Sequence, residues 1–206
     1  MSRCKHLLLA AALLVGICAA GQRVFMGGLN AGIITSQIDG DSYSGFHKFG
    51  FHVGGQISME FNDRAGLLLE LAYSQKGSRN APDLTDPNSN PTLFRWALNY
   101  IEVPVSYQYM IRDNWSAHAG LYWARLINGK QVINGLDRDL DGAFTKADIG
   151  FQIGTQYHFG ENRYLRVRYS GSAIPMRGDD TDALSSSYWN SGGFNIVLYL
   201  TYGFQF

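Results

Sequence analysis

The feature that most restricts what this chain can become is a two-residue rhythm. From Arg23 onward, apolar and polar residues alternate in segments of about ten to fourteen, with no convincing 3.6-residue period in any window. Successive side chains of a strand point to opposite faces, so alternation of this length specifies strands. The last segment is the clearest. Phe194, Ile196, Leu198, Leu200, Tyr202, Phe204 and Phe206 share one face, with Asn195, Thr201, Gly203 and Gln205 on the other. The second segment repeats it, with Phe49, Phe51, Val53, Ile57, Met59 and Phe61 opposite His52, Gln56, Ser58 and Glu60. Eight such segments fall near 23–34, 48–61, 66–76, 97–110, 115–127, 147–159, 163–173 and 193–206.

Their connections alternate in length. Asn62-Asp63-Arg64-Ala65, Arg112-Asp113-Asn114 and Gly160-Glu161-Asn162 are tight polar turns, whereas 35–47, 77–96, 128–146 and 174–192 are longer and rich in Gly, Asp and Ser. The tight turns recur at a spacing of about 49 residues, which raises a propeller, but each period supplies two strands where a blade needs four. Short turns at one end and long loops at the other predict an all-β fold: an eight-stranded antiparallel up-and-down barrel.

Alternation does not say which face is inside. A soluble lipocalin-like barrel turns its apolar face inward around a ligand, whereas a transmembrane barrel turns it out to lipid. Four features favour the membrane. The segments reach the roughly 9–11 residues that a tilted strand needs to cross hydrocarbon. Aromatics gather on the apolar face near the strand ends, as two interfacial girdles require: Phe61, Tyr107, Tyr109, Trp115, Tyr157, Phe159 and Phe204 at one rim, Phe49, Phe51, Trp123, Phe151 and Phe194 at the other. Gly50, Gly54, Gly120, Gly150, Gly154 and Gly203 lie on the polar face, where a narrow lumen leaves little room. Finally, Tyr202, Phe204 and Phe206 close the chain on an aromatic, a C-terminal assembly signal of the kind outer-membrane barrels usually carry.

Composition narrows the classes further. Only 17% of residues are charged while 14% are aromatic, the reverse of a disordered chain. Formal charge is zero, so a nucleic-acid partner has no basic footprint to bind. Residues 1–21 read as a secretory signal peptide, with Arg3 and Lys5 ahead of the apolar run Leu7 to Ile17 and the small residues Ala19-Ala20-Gly21. Ile17 precedes Cys18, which argues against lipoprotein processing. Both cysteines, Cys4 and Cys18, lie in this segment, so the exported domain, 22–206, has neither thiol nor disulfide. The expected location is the outer membrane, with both termini periplasmic.

On the polar face Glu60, Glu70, Lys76, Glu102, Asp148, Arg166 and Arg168 take inward parity, joined by His52, His118 and His158. Isolated ions in a lumen are costly, so they should pair across strands. The expected network centres on Glu70, Glu102, Arg166 and Arg168. Because eight strands leave an interior just wide enough for side chains, a plug is preferred over a conduit.

The chain resembles the small outer-membrane β-barrel proteins of the PorT-like type, common in Bacteroidota and often labelled porin-family. The matching stretches are Gly27-Gly28-Leu29-Asn30, Gly45-Phe46-His47-Lys48-Phe49-Gly50-Phe51, Glu70-Leu71-Ala72-Tyr73-Ser74-Gln75-Lys76-Gly77 and Tyr100-Ile101-Glu102-Val103-Pro104. Asp148-Ile149-Gly150-Phe151, Arg168-Tyr169-Ser170 and the terminal Phe206 follow in family order. One departure is Gly120-Leu121, where the family usually has Gly-Pro. The resemblance implies an eight-stranded outer-membrane barrel and little about activity, since one branch is linked to protein secretion and most members have no assigned role. Pro104 cannot donate to a ladder, and a local bulge at Glu102–Val105 is expected to accommodate it.

Candidate chemistry is sparse. Asp137, Asp139, Asp141 and Gly142 match positions one, three, five and six of a calcium loop, with Asp148 at position twelve where a bidentate Glu is usual. An acidic, solvated surface loop is the plainer explanation, so calcium is the one cofactor entertained. A lipid-modifying barrel enzyme would draw on His158, Ser170, Ser172 and Glu102, but His158 and the serines sit toward opposite ends of their strands, and no catalysis is expected. A small porin is a further alternative. Tyr43, Phe46, Leu84, Leu93, Phe94, Tyr188 and Trp189 put apolar groups in or near the long loops, which favours contact with a cell-surface or secretion partner. Outer-membrane lipid and the barrel-assembly machinery complete the expected partners.

Overall fold

The computed structural model describes residues 25–39, 45–80, 94–133, 136–139, 145–176 and 193–206. The signal segment and, of the loop residues named above, Tyr43, Leu84, Leu93, Tyr188 and Trp189 lie outside them. Among the described residues there are nine strands: β1 (Phe25–Asp39), β2 (Lys48–Glu60), β3 (Ala65–Arg79), β4 (Phe94–Arg112), β5 (Trp115–Ile133), β6 (Leu136–Asp139), β7 (Ala147–Phe159), β8 (Arg163–Ser172) and β9 (Phe194–Gln205). Every pairing is antiparallel. Each barrel strand pairs with its neighbours in sequence, and β9 returns to β1, so eight strands close into a barrel. The short β6 instead folds back on the end of β5 as a hairpin extension.

All eight alternating segments form strands, and the faces sort as a membrane barrel requires. The apolar face is outside: Phe49 is 71% exposed, Leu29 62% and Leu121 66%, whereas Arg166 in the interior is 1% exposed and Lys76 0%. At the turn end the girdle is packed ring on ring, with Trp115 and Tyr157 directly paired at 5.0 Å between centroids and Tyr157 4.8 Å from Phe159. The turns themselves are locally encoded. Asn62 Oδ1 accepts the main-chain N–H groups of Arg64 and Ala65 at 2.9 and 2.8 Å, and Gly160 supplies the left-handed residue, φ +73°, of its turn.

At the opposite, loop end the strands run further than the alternation suggests. β4 and β5 each reach 19 residues, and β3 continues to Arg79. The β4–β5 register shifts between Asn99 and Tyr100, leaving Ile127 as the extra residue. Beyond it the parity of β5 inverts, which is why the segment appears to stop at Ile127.

The bulge expected at Glu102–Val105 is not there. Leu69 pairs with Val105 and Ala72 with Glu102 in one unbroken register, while no pairing joins Glu70 and Leu71 to Val103 and Pro104. The proline therefore interrupts the β3–β4 ladder without shifting it, and its partner on the other side, Tyr122, remains in place.

Inward glycines have a definite use. Tyr164 pairs with Gly203, Tyr122 with Gly150 and His118 with Gly154, and in each case the ring occupies the space a Cβ on that glycine would need. Three large polar rings thus lie flat against opposing backbone, and the narrow lumen can hold them.

Candidate functional site

The lumen contains two ionised clusters. Nearer the turn end, β3 supplies Glu70 and β8 supplies Arg166 and Arg168. Glu70 accepts Arg168 Nη1 at 2.6 Å, meets Arg166 Nη1 at 3.2 Å and accepts Asn30 Nδ2 at 2.9 Å. Arg166 also donates through Nε to Gln156 at 2.8 Å and through Nη2 to Gln56 at 2.9 Å. Both guanidiniums rest on aromatic faces, Arg166 over Tyr164 at 4.7 Å and Arg168 over Tyr199 at 4.4 Å.

The second cluster lies toward the loop end. Lys76 Nζ is ion-paired with Glu102 and stands 3.6 Å from Asp148. Ser74 and Tyr199 donate to Glu102, at 2.7 and 3.3 Å, while Tyr122 and Asn195 donate to Asp148, at 3.2 and 3.0 Å. The ammonium also faces the Tyr122 ring at 4.6 Å and the Tyr100 ring at 5.2 Å.

His52 joins the two clusters. Ser74 gives its proton to Glu102, so its oxygen accepts from His52 Nδ1 at 2.8 Å. That assignment leaves His52 Nε2 as an acceptor facing Arg168 Nη2 at 3.4 Å. A chain of donors therefore runs from Arg168 through His52 and Ser74 to Glu102.

Above the second cluster the lumen is capped by apolar packing. Ile38, Leu98, Tyr100, Tyr122, Ala124 and Met176 form one buried group. Met176 follows β8 and is held over the barrel by main-chain bonds, accepting from Thr145 N at 2.6 Å and donating to Gly193 O at 2.9 Å.

The structure brings Glu70, Arg166 and Arg168 together, but it assigns Glu102 to Lys76 and not to the arginines. Inward parity placed Lys76 in the lumen; its cross-barrel partners depend on curvature, which one strand's sequence does not carry. Met176 gave no signal, because it lies outside any alternating segment. Of the calcium-loop residues, Asp137 and Asp139 lie on β6, Asp148 is turned into the lumen beside Lys76, and Asp141 falls outside the described residues. No cluster of three or more His, Cys, Asp or Glu able to hold a metal occurs among the described residues.

The enzyme constellation is not assembled. His158 Nε2 contacts Ser116 and Gln156, both at 3.2 Å, beside a recess of about 50 Å³ at the turn end. Ser170 and Ser172 lie six and eight residues along β8 from Tyr164, the residue opposite His158. Ser172 accepts from the main chain of Asn195, and Glu102 is committed to Lys76, Ser74 and Tyr199. Tyr202, Phe204 and Phe206 all face outward on the closing seam, where Phe206 exchanges two main-chain bonds with Gly27.

An antiparallel ring with an apolar exterior, aromatic rims and an ionised interior defines a transmembrane β-barrel. The chain belongs to the outer membrane protein beta-barrel domain family, whose match covers residues 22–205. Its fold is similar to that of Ail, the attachment invasion locus protein of Yersinia pestis, crystallised with the heparin analogue sucrose octasulfate. That likeness has a TM-score of 0.53 and 15% identity, over 88% of this chain and 99% of Ail. Neisserial surface protein A is similar to the same degree, with a TM-score of 0.51 and 15% identity, over 90% of this chain and 100% of that one. No curated protein matches the chain. The protein is a small eight-stranded barrel of the outer membrane.

Proposed function

We propose that this barrel works by presenting its long loops to partners outside the cell, on a lumen closed to solutes. The observation that carries the reading is the filled interior. Among the described residues seven ionised side chains are buried, and six of them form the two linked clusters beneath an apolar cap. Conduction needs a continuous water-filled path from end to end, and an eight-stranded interior filled by paired side chains supplies none. Strand extensions at the loop end, including the β5–β6 hairpin, raise that end beyond the lipid-facing belt and fit a contact role. Outer-membrane lipid would cover the exterior, and the aromatic strand end at Tyr202, Phe204 and Phe206 would serve recognition by the barrel-assembly machinery.

The test pairs conductance with binding. Purified protein in a planar bilayer should give no stable conducting steps. Protease trimming of the loops should abolish adhesion or partner capture while the barrel keeps its resistance to detergent. Stable, reproducible single-channel steps would instead support a small porin. The PorT-like resemblance supports a narrower form of the proposal, in which the loop partner belongs to a secretion system.

A further inference from the structure

The two lumen clusters are unequally satisfied. Lys76, Glu102 and Asp148 carry one surplus negative charge, and four neutral donors, Ser74, Tyr199, Tyr122 and Asn195, are turned onto the two carboxylates. Glu70, Arg166 and Arg168 carry one surplus positive charge, with Glu70 the one carboxylate among them. Arg168 uses Nη1 on Glu70 and Nη2 on His52, and its Nε has no hydrogen-bond partner. His118 Nε2 is likewise without one. Both side chains are almost wholly enclosed, Arg168 at 2% exposure and His118 at 3%. A buried guanidinium N–H with no acceptor is among the more costly defects a folded protein can carry.

Register places His118 and Arg168 on one row. His118 pairs with Gly154 across β5–β7, and Gly154 pairs with Arg168 across β7–β8. The glycine between them is where the imidazole lies, since a Cβ there would stand 2.6 Å from His118 Cε1 and 2.7 Å from Nε2. The His118 ring thus lies over the one residue that separates it from Arg168 along the row.

We propose that this row is a binding site for a small monovalent anion of the halide class, accepting N–H bonds from Arg168 Nε and His118 Nε2. One such ion neutralises the surplus charge of the Glu70–Arg166–Arg168 cluster and, with His118 in its Nε2–H tautomer, accepts from both nitrogens at once. The second cluster, whose two carboxylates already accept from Lys76 and four neutral donors, takes no anion. The proposal is independent of what the loops bind.

Bromide is the probe. Crystals of the refolded protein grown in sodium bromide should show an anomalous peak at hydrogen-bond distance from Arg168 Nε and His118 Nε2. In parallel, the temperature at which the unboiled gel band converts should be higher in chloride than in gluconate at equal ionic strength. A rise of about 3 °C is expected at ten times the dissociation constant. His118→Leu should erase the chloride dependence. His118→Gln, which keeps an N–H donor, should retain part of it and serves if the leucine variant does not assemble. A water molecule, or a direct Arg168–His118 hydrogen bond, at that position would overturn the proposal. So would a bromide peak with no chloride dependence of stability, which would mark an adventitious ion only.

Discussion

Replacing Glu70 by Gln preserves the side chain's shape and removes its charge, which isolates the electrostatic part of the lumen. In the native barrel this carboxylate meets two guanidiniums, at 2.6 and 3.2 Å, and an amide at 2.9 Å, all enclosed. The variant would leave Arg166 and Arg168 with no carboxylate between them. Breaking a buried pair by removing one partner costs about 3–5 kcal/mol, because the other charge remains buried and uncompensated. That corresponds to a shift of roughly 150- to 4,000-fold in the folding equilibrium. Glu102→Gln makes the internal comparison: Lys76 keeps Asp148 at 3.6 Å, so the loss should be nearer the worth of one charged hydrogen bond, about 1.5–3 kcal/mol. Equilibrium unfolding in urea, followed by tryptophan fluorescence and by the unboiled gel band in the same samples, reads both variants. A loss below about 1 kcal/mol for Glu70→Gln, or an equal or larger loss for Glu102→Gln, would refute the reasoning that ranks the clusters by their remaining counter-charge.

Heat-modifiability checks the architecture directly: the outer-membrane fraction should give a band that shifts on boiling, and recovery of the protein in a soluble fraction instead would contradict the outward apolar face. Gly203→Val should destabilise the barrel by about 1–3 kcal/mol, measured by urea unfolding, because the Tyr164 ring occupies that space and would be forced off Arg166 and Gln56. Calorimetry with Ca²⁺ tests the acidic loop: any heat of binding should vanish in the Asp139→Ala, Asp141→Ala double variant, and binding unchanged by that pair would remove the loop from consideration.

How much of this was legible in the sequence follows from what alternation encodes. Period two registers which face a residue occupies, so all eight barrel strands and the inward set, from Glu70 through Arg168, could be read directly. It says nothing once both faces meet water. That is why the ends of β3 and β4, at Arg79 and Arg95, lie beyond the alternating segments, and why β6 carries no strand signal. Local irregularity was also misplaced. Pro104 shows its missing N–H in the sequence and leaves the register unshifted, whereas the two β4–β5 register shifts sit at Asn99/Tyr100 and Met110/Arg112, where nothing in the residue types announces them. Which charges pair is a further step removed. Glu70 and Arg168 are 98 residues apart, and Tyr199 and Glu102 are 97 apart, so these contacts are fixed by the closure of the ring and its diameter.

The seam between β1 and β9 gives that long-range pairing a kinetic meaning. β9 completes the barrel, and Gly28 meets Gln205 only when the first and last of the eight strands come together. Until then Arg166 and Arg168 belong to one edge of an open sheet and Glu70, Gln56 and His52 to the other side of it. Contacts of such sequence separation are formed late and lose their reward if the ring stays open. The ionic interior therefore acts as a latch on closure: a half-assembled sheet carries unneutralised cations toward hydrocarbon, and every partial structure is penalised relative to the finished one. Stability in this barrel is accordingly expected to be gained in a single late step, with the open sheet as the high-energy intermediate.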